Sequence, residues 1–351
     1  MINIGILGSG AVLKWHLLGI DGTEGARLAA LSSRNEVTGR AACEKYGAAY
    51  YKDYNDFLDK EKTLDGVIVL FPNHMHYEIC NLVLDAGCRH ILCEKPLGID
   101  LEQSRRLVEK VQKTGAVFQA AYMKRFNPGF RKIKEALDVI GNIEFVNCTT
   151  VESGAANQVS QRDSSSPWKT DPALSGGGNL THVGSHVVDL LRFLFGEVKT
   201  VSCTLRRDSE DAPEYYANAR LKMSNGVNAD LRIGRVDIPD LGPGWEIFNG
   251  GWNEYVEVIG DRGYIRADNP SWEGLGAIRV TSWFKGMHGP KTEYFESRLQ
   301  WANEISAFAK ACGAGRLCSD SSSAVDAYRV DYIVKKMRLS DEMNGETVSA
   351  D

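Results

Sequence analysis

Lys95 stands in the tetrapeptide Cys93-Glu94-Lys95-Pro96, directly after the apolar run His90-Ile91-Leu92. The run reads as a short buried strand. A Glu-Lys pair is a poor continuation of such a strand, so the chain leaves the core here. Pro96 biases Lys95 away from helical backbone towards an extended shape. A lysine held at the carboxyl end of a strand lies where open α/β sheets bind ligands, and its ammonium can stabilise charge developing on an oxygen. The same four residues also fit an exposed lysine ahead of a turn. Two histidines supply the other chemistry. His182 and His186 are four apart in a segment with helical periodicity from Leu180 to Phe195, which predicts that both rings share a face. Imidazole is a natural acid–base group near neutrality, and two adjacent rings disfavour double protonation. His-x-x-x-His is also a metal spacing. No third ligand with clear spacing accompanies it, and no Glu follows His182, so no metal is expected.

A third set of residues could bind a phosphate. Gly8-Ser9-Gly10, followed by Ala11 and Val12, lies between a β-rich run and a helical segment. Glycines in such a turn let a backbone approach a pyrophosphate at a helix N-terminus. The third fingerprint position is Leu13 rather than Gly or Ala. At the end of the second strand, where a carboxylate would accept the ribose hydroxyls of NAD, the chain has Ser32-Ser33-Arg34. Ser33 is small and uncharged, and Arg34 can pair with a 2′-phosphate or stack on adenine, so NADP is expected to be at least tolerated.

The elements that must position these residues alternate over the first 122 positions. Strands are expected at Ile2–Leu7, Arg27–Ser32, Gly66–Phe71, His90–Cys93 and Val117–Tyr122. Helices run between them: one to about Leu18, one capped by Asn35 and ended by Gly47, one from about His76 to Ala86, and one opened by Asp100-Leu101-Glu102-Gln103. This alternation predicts an α/β fold with a doubly wound parallel sheet of the Rossmann type. After Tyr122 the pattern changes. Asn127-Pro128 starts a helix to about Val139, a strand follows over Ile143–Val151, and residues 153–166 read as a loop. The rest to about Phe295 is mainly strands, with a hairpin signal at Ser224-Asn225-Gly226-Val227. Two helices, about 297–311 and 321–338, close the chain, the second with Ser319 or Asp320 as cap and a polar, mobile tail from Leu339. The expected division is 1–122, a dinucleotide-binding domain, and 123–351, an α+β domain with a large, mainly antiparallel sheet for substrate binding and oligomerisation.

Composition narrows the function classes. With 351 residues, 43% hydrophobic and 25% charged, the chain reads as a two-domain globular protein. A net charge of -5 gives no basic field for nucleic acid or an anionic membrane. The apolar start is too short for a leader and lacks a basic flank, and no run reaches membrane-spanning length. Eight cysteines without paired spacing fit reduced thiols in a cytoplasmic protein.

Taken together, the ordered motifs resemble the glucose-fructose oxidoreductase / inositol dehydrogenase family of nicotinamide-dependent sugar oxidoreductases over nearly the whole chain. Gly8-Ser9-Gly10 with His16 is similar to its phosphate turn, and Pro72-Asn73-His74-Met75-His76 to its P-N-x-x-H segment. Glu94-Lys95-Pro96 matches its hallmark. Tyr122 to Pro128 is similar to its R-F-x-P crossover. Trp168-Lys169-Thr170-Asp171-Pro172, Ser175-Gly176-Gly177-Gly178, Gly184-Ser185-His186 and Asp189 resemble its W-R-x-D-P, S-G-G-G and G-x-H-x-x-D run. Val258 to Gly263 is similar to a late strand-turn motif.

The resemblance implies NAD or NADP as cofactor and a sugar, glycoside (at carbon 3, for example) or inositol as substrate. It adds Pro72, Asn73, His76, Glu94 and Lys95 to the cofactor set. It implies His186 as acid–base group, Lys95 as its partner on the same oxygen, and Arg125, Trp168, His182 and His186 beside the substrate. Where the family often has Asp, four residues before the conserved His, this chain has His182, which joins Lys95 and His186 in the catalytic set and can orient the substrate, tune His186 or bind a neighbouring hydroxyl. Some positions read two ways from the residues: Trp168 as core aromatic or sugar platform, Arg125 as ligand or structural ion pair, His76 as buried histidine or pocket wall. Asp189 is expected to pair with Arg192 at helical spacing. Specificity is expected from 153–166, the Trp168 region and 240–254, and a dimer or tetramer by analogy. Two other functions fit the same resemblance, a bound-cofactor enzyme that eliminates at a glycosidic bond and a non-catalytic sugar sensor. The intact Lys95 and His186 argue against the sensor.

Overall fold

The computed structural model describes residues 1–153, 167–169, 171–236, 252–274 and 276–351. The chain forms two compact units, Met1–Met123 with Trp301–Asp331, and Lys124–Gln300 with Tyr332–Asp351. Residues 301–331, grouped by sequence with the second domain, thus belong with the first.

Unit 1 runs β1 (Ile2–Leu7), α1 (Leu13–Asp21), β2 (Ala26–Ser32), α2 (Glu36–Tyr46), β3 (Ala49–Tyr51), α3 (Tyr54–Lys60), β4 (Gly66–Val69), α4 (Asn73–Asp85), β5 (His90–Cys93), α5 (Leu101–Thr114) and β6 (Val117–Ala120). The sheet order is β6-β5-β4-β1-β2-β3, all parallel, with the short strand Ser322–Ser323 antiparallel beyond β6. This is the doubly wound Rossmann arrangement, and its order reverses between β1 and β4. All four residues of β4 are buried, as a strand covered on both faces requires. Ile4, Ile6, Leu28, Leu31 and Ile68 pack with Ile305 and Phe308 in one cluster. Each such fully buried side chain contributes about 1.5–3 kcal/mol.

The expected caps form. Asn35 accepts from the Thr38 N–H, Asp100 accepts from the Gln103 N–H, and Gly47 and Gly115 end their helices left-handed. Gln103 reaches back to the Ile99 N–H, closing a box one residue wider than usual. The third strand β3 and the helix α3, capped by Asp53, lacked a clear periodic signal and are additions. Helix α4 starts at Asn73 rather than His76, because Pro72 already takes the N-cap position.

Unit 2 contains a 3₁₀ turn (Met123–Phe126, its first residue in unit 1), α6 (Pro128–Ala136), β7 (Ile143–Ser153), α7 (Pro172–Ser175), α8 (Ser185–Phe195), β8 (Val198–Arg206), β9 (Tyr216–Met223), β10 (Asn228–Val236), β11 (Trp252–Gly260), β12 (Gly263–Asn269), β13 (Ala277–Phe284) and β14 (Lys291–Glu296). The chain ends with α9 (Leu299–Ala314), β15 (Ser322–Ser323), α10 (Ala324–Glu342) and β16 (Val348–Ser349). Nine strands lie in the order β14-β13-β12-β11-β7-β10-β9-β8-β16, antiparallel except for β7 with β10. Along β9 and β11 buried residues alternate with more exposed ones, the signature of a sheet covered on one face.

The hairpin signalled at Ser224–Val227 forms between β9 and β10, with a three-residue loop over 224–226 in which Gly226 takes positive φ. Three sequence expectations change here. Leu180–Gly184 is a π-helical turn, and the α-helix begins only at Ser185. The cap of α10 is Ser323, whose Oγ accepts from the Asp326 N–H while Asp326 accepts from Ser323, because Ser322 and Ser323 are drawn into the edge of the first sheet. The tail is ordered: β16 pairs with β8, and Ser340 and Ala350 are buried. Residues 154–166 and 240–251, expected to set specificity, lie outside the described residues.

Candidate active site

The carboxyl ends of β1, β4 and β5 converge in unit 1. Leu70 N–H donates to Leu7 O, Glu94 N–H to Val69 O, and Gly8 N–H to Ser32 O. Gly8 has φ of 100°, and a Cβ on it would lie 2.7 Å from Leu70 O, so this turn requires glycine. At Gly10 a Cβ would meet only Leu70 O, at 3.6 Å, an ordinary contact. The protein's own packing therefore does not demand glycine there, whereas an approaching pyrophosphate does. Val12 gives α1 no side-chain cap, which suits an anion at that helix end. Leu13, in place of the third glycine, is 4% exposed and packs into the sheet cluster, so α1 is seated by a large side chain. These residues fit a dinucleotide.

The adenosine edge differs from the expectation in one respect. Ser33 is buried: its Oγ bonds to Ser9 Oγ and, at 3.0 Å, to the Asn35 backbone, while its carbonyl accepts from Tyr50 OH at 2.7 Å. It braces this edge more than it offers a free hydroxyl. Arg34 is exposed. Arg40, overlooked in the sequence, lies over the Tyr50 ring at 4.8 Å and pairs with Glu36 at 2.8 Å. Its only sequence signal was an i,i+4 pair on α2.

Lys95 follows the end of β5, and its peptide bond to Pro96 is cis. Polar side chains on either side hold this turn. His16, fully buried, lies with Nε2 3.0 Å from Glu94 Oε1 and with its ring edge against Trp301. A carboxylate only accepts, so His16 is the donor. Burial acts to raise the Glu94 pKa, but the His16 hydrogen bond and the nearby charges of His16, Lys95 and His76 outweigh it and hold the carboxyl below its usual range. His76, 1% exposed, has Nδ1 2.6 Å from Pro96 O and Nε2 2.7 Å from Phe71 O. Its nitrogens thus face backbone rather than an open pocket. Asn73 is also buried, in the first turn of α4 behind Pro72.

In unit 2 the histidine segment is fastened from several directions. Arg125 makes a two-pronged ion pair with Asp189, Nε to Oδ2 and Nη2 to Oδ1, both 2.7 Å and buried. Arg192, expected to pair with Asp189 at helical spacing, binds Glu197. Helical spacing allowed the local pair, but buried Arg125 supplied the better bidentate geometry. Arg125 consequently braces α8 three residues beyond His186. His186 is 9% exposed on α8, while His182 is part-exposed in the π turn. The α-helical spacing between the two rings is thus interrupted, a kind of irregularity frequent at functional sites. Trp168 meets His182 edge-to-face, with centroids 6.1 Å apart.

The glycine run beneath this turn has a tertiary cause. Arg338 of α10 donates to Gly176 O at 3.1 Å, Thr181 Oγ1 at 2.6 Å and Glu214 Oε1 at 2.9 Å. A Cβ on Gly177 would fall 1.9 Å from Arg338 Nη2, and one on Gly178 would fall 2.1 Å from Glu214 O. Neither Arg338 nor Glu214 carried a sequence signal. A second buried cluster joins Lys124 to Glu254, whose carboxylate also accepts from Thr150 at 3.1 Å and Asn269 at 2.7 Å. The eight cysteines are free thiols, with Cys148 and Cys203 pushed up to about 12 by burial. Among the described residues no helix is long and apolar enough to cross a membrane, and no His, Cys, Asp or Glu cluster could hold a metal.

Comparison with known proteins agrees with this architecture. Residues 2–122 match the profile described as "Oxidoreductase family, NAD-binding Rossmann fold", and residues 130–266 match the GFO/IDH/MocA C-terminal domain. Inositol 2-dehydrogenase of Rhizobium meliloti is 26% identical over 324 residues, 90% of this chain and 89% of that protein. Inositol 2-dehydrogenase 2 of Saccharopolyspora erythraea is 28% identical over 341 residues, 93% of this chain and 89% of that protein. A levoglucosan dehydrogenase in complex with NADH and levoglucosan shares the fold, with a TM-score of 0.81 at 21% identity over 99% of both chains. With a glycine turn suited to a dinucleotide, a lysine just past the carboxyl end of a parallel strand and both domain profiles in order, the chain belongs to the GFO/IDH/MocA family of NAD-binding oxidoreductases.

Proposed function

We propose that this oxidoreductase interconverts a ring hydroxyl and the matching ketone of a cyclic polyol or pyranose. The observation that carries the reading is the shared carboxyl edge of the parallel sheet in unit 1, where the Gly8–Gly10 turn leaves β1 at the reversal of strand order and the Lys95 turn leaves β5, with β4 between them. The names of the two inositol 2-dehydrogenase relatives support the substrate class. A nicotinamide bound at the glycine turn supplies the hydride acceptor or donor. The Lys95 ammonium stabilises charge on the reacting oxygen, and His186 takes or returns its proton. His182 and Trp168 orient the ring, the tryptophan as a stacking face. Arg125 acts at one remove, by holding α8 through Asp189. Arg34 and Arg40 flank the adenosine edge and permit a 2′-phosphate, so NADP binds as well as NAD.

The eight free thiols support a reducing, cytoplasmic setting. A homo-oligomer built on the nine-stranded sheet is supported by a row of large residues in cross-strand register, Phe145, Ile259, Tyr264 and Trp283, of which Phe145 and Trp283 are more than half exposed. The test of the function is a cofactor-reduction screen, with NAD and NADP each against inositols, aldoses and glycosides. Reduction with at least one inositol or pyranose is expected. No reduction with any member of the panel overturns the reading, and NAD binding far tighter than NADP overturns its cofactor part.

A further inference from the structure

We propose that His76 is the positioning residue of Lys95: its ring bolts the Glu94–Pro96 turn onto the end of β4. The inference rests on the reading of Lys95 as a catalytic group. Three observations carry it. His76 sits in the first turns of α4, 1% exposed, so its ring has little freedom. Nδ1 lies 2.6 Å from the carbonyl of Pro96, the residue after Lys95. Nε2 lies 2.7 Å from the carbonyl of Phe71, just past β4. One ring therefore spans two loops that leave adjacent strands, and it holds the far side of the turn whose near side is held by the His16–Glu94 bond.

Carbonyl oxygens only accept, so the ring must donate wherever it bonds. A neutral ring donates to one carbonyl, and a protonated ring donates to both. Burial resists the proton, while the two carbonyls and the Glu94 charge favour it and the Lys95 charge opposes it. The bond that matters for Lys95 is Nδ1–H to Pro96 O, made by the protonated ring or by the neutral Nδ1–H tautomer. Without it the turn loses its anchor on the α4 side, and the ammonium shifts from its place. A misplacement of about 1 Å near a reacting centre costs on the order of a hundredfold in rate.

The two nitrogens can be separated by substitution, since an Asn amide reaches about as far as Nδ1 and a Gln amide about as far as Nε2. His76→Phe keeps the bulk of the ring and removes both donors. Turnover is followed with myo-inositol and NAD, or with the panel member that gives cofactor reduction. His76→Phe and His76→Gln are expected to lower kcat about ten- to a hundredfold, with KM and the dissociation constant for NADH changed less than about threefold. His76→Asn is expected to restore most of the loss. Equal kcat in the Asn and Gln variants, or kcat within twofold of wild type in the Phe variant, overturns the proposal. A Phe variant that loses NADH binding in step with kcat also overturns it, in favour of a cofactor-contacting role.

Wild-type protein provides a test that needs neither folding of a variant nor a substrate. With ¹⁵N-labelled histidine, Nδ1 of His76 is expected to carry a slowly exchanging proton; an unprotonated Nδ1 sinks the idea. Lys95→Ala serves as the control for the underlying reading. If it keeps turnover, the catalytic role of Lys95 fails, whereas lost turnover in Lys95→Ala with full turnover in His76→Phe fails only the positioning role.

Discussion

The Lys95 turn and the His182–His186 segment are held in opposite ways. Around Lys95 the chain uses strand ends, a required glycine and histidines that bond to backbone or to the neighbouring residue of the turn, all from the first 100 positions together with Trp301. Around the histidines it uses charged side chains brought from far along the sequence, Arg125 to Asp189 and Arg338 to Gly176 and Thr181. A parallel sheet delivers its strand ends to one edge by topology, so few special contacts are needed there. A π turn above a mainly antiparallel sheet has no such guarantee and is fixed by charged side chains, one part-buried on the turn and one buried on the helix after it.

The largest effect should come from removing the two reactive groups this comparison contrasts. Lys95→Ala and His186→Ala are each expected to lower kcat by about a thousandfold or more while cofactor affinity stays within a few fold. His182→Asn should cost less than His186→Asn, because His182 is assigned to orientation rather than proton transfer. Steady-state kinetics with cofactor titration check both, and wild-type-like activity in either alanine variant sinks the assignment.

Next in size is the brace of α8. Arg125→Met or Asp189→Asn leaves a buried group without its bidentate partner and should cost about 3–5 kcal/mol in urea unfolding. The double variant should cost much less than the sum of the singles. Full additivity would show that the two act independently.

Arg338→Met should weaken unit 2 by about 1–3 kcal/mol, since Gly176 O, Thr181 Oγ1 and Glu214 each lose a charged donor. Its sharper signature is kinetic: a fall in kcat with NADH affinity unchanged, because the loop it ties carries His182. An unchanged kcat would mean that the π turn holds itself.

The smallest expected effect is acid sensitivity at the Lys95 turn. Glu94 titrates below its ordinary 4.5 in the folded protein. Between that folded value and 4.5 the unfolded chain binds more protons, so stability from this group is complete above 4.5 and is lost as pH falls through the folded pKa. Glu94→Gln should therefore flatten the dependence of the unfolding midpoint on pH below about 4.5 and leave its shape near neutrality unchanged. A steeper acid loss in the variant would contradict the His16 pairing.

How far the sequence could be read follows the same division. Caps at Asn35 and Asp100, the all-apolar strand at β4 and the position of Lys95 depend on neighbours within a few residues, and they were legible. The π turn at Leu180–Gly184 was not, because its cause is Arg338 and the close approach of Glu214 to Gly178. Local spacing offers Asp189 a partner in Arg192 and says nothing of the bidentate one 64 positions away, Arg125. The cap of the last long helix was misassigned for a related reason: Ser322 and Ser323 are captured by the edge of a sheet formed some 200 residues earlier.

By itself, then, the sequence determined the parallel sheet, the glycine turn, the lysine at a strand end and the family, because local periodicity and chain order carry that information. Tertiary structure alone decided which charges meet, where the last helix begins and ends, and that Ser33 and His76 spend their polar atoms on the protein itself. Those outcomes depend on which distant groups can satisfy a buried donor or acceptor, and a buried polar group takes the partner that geometry brings rather than the one nearest in sequence.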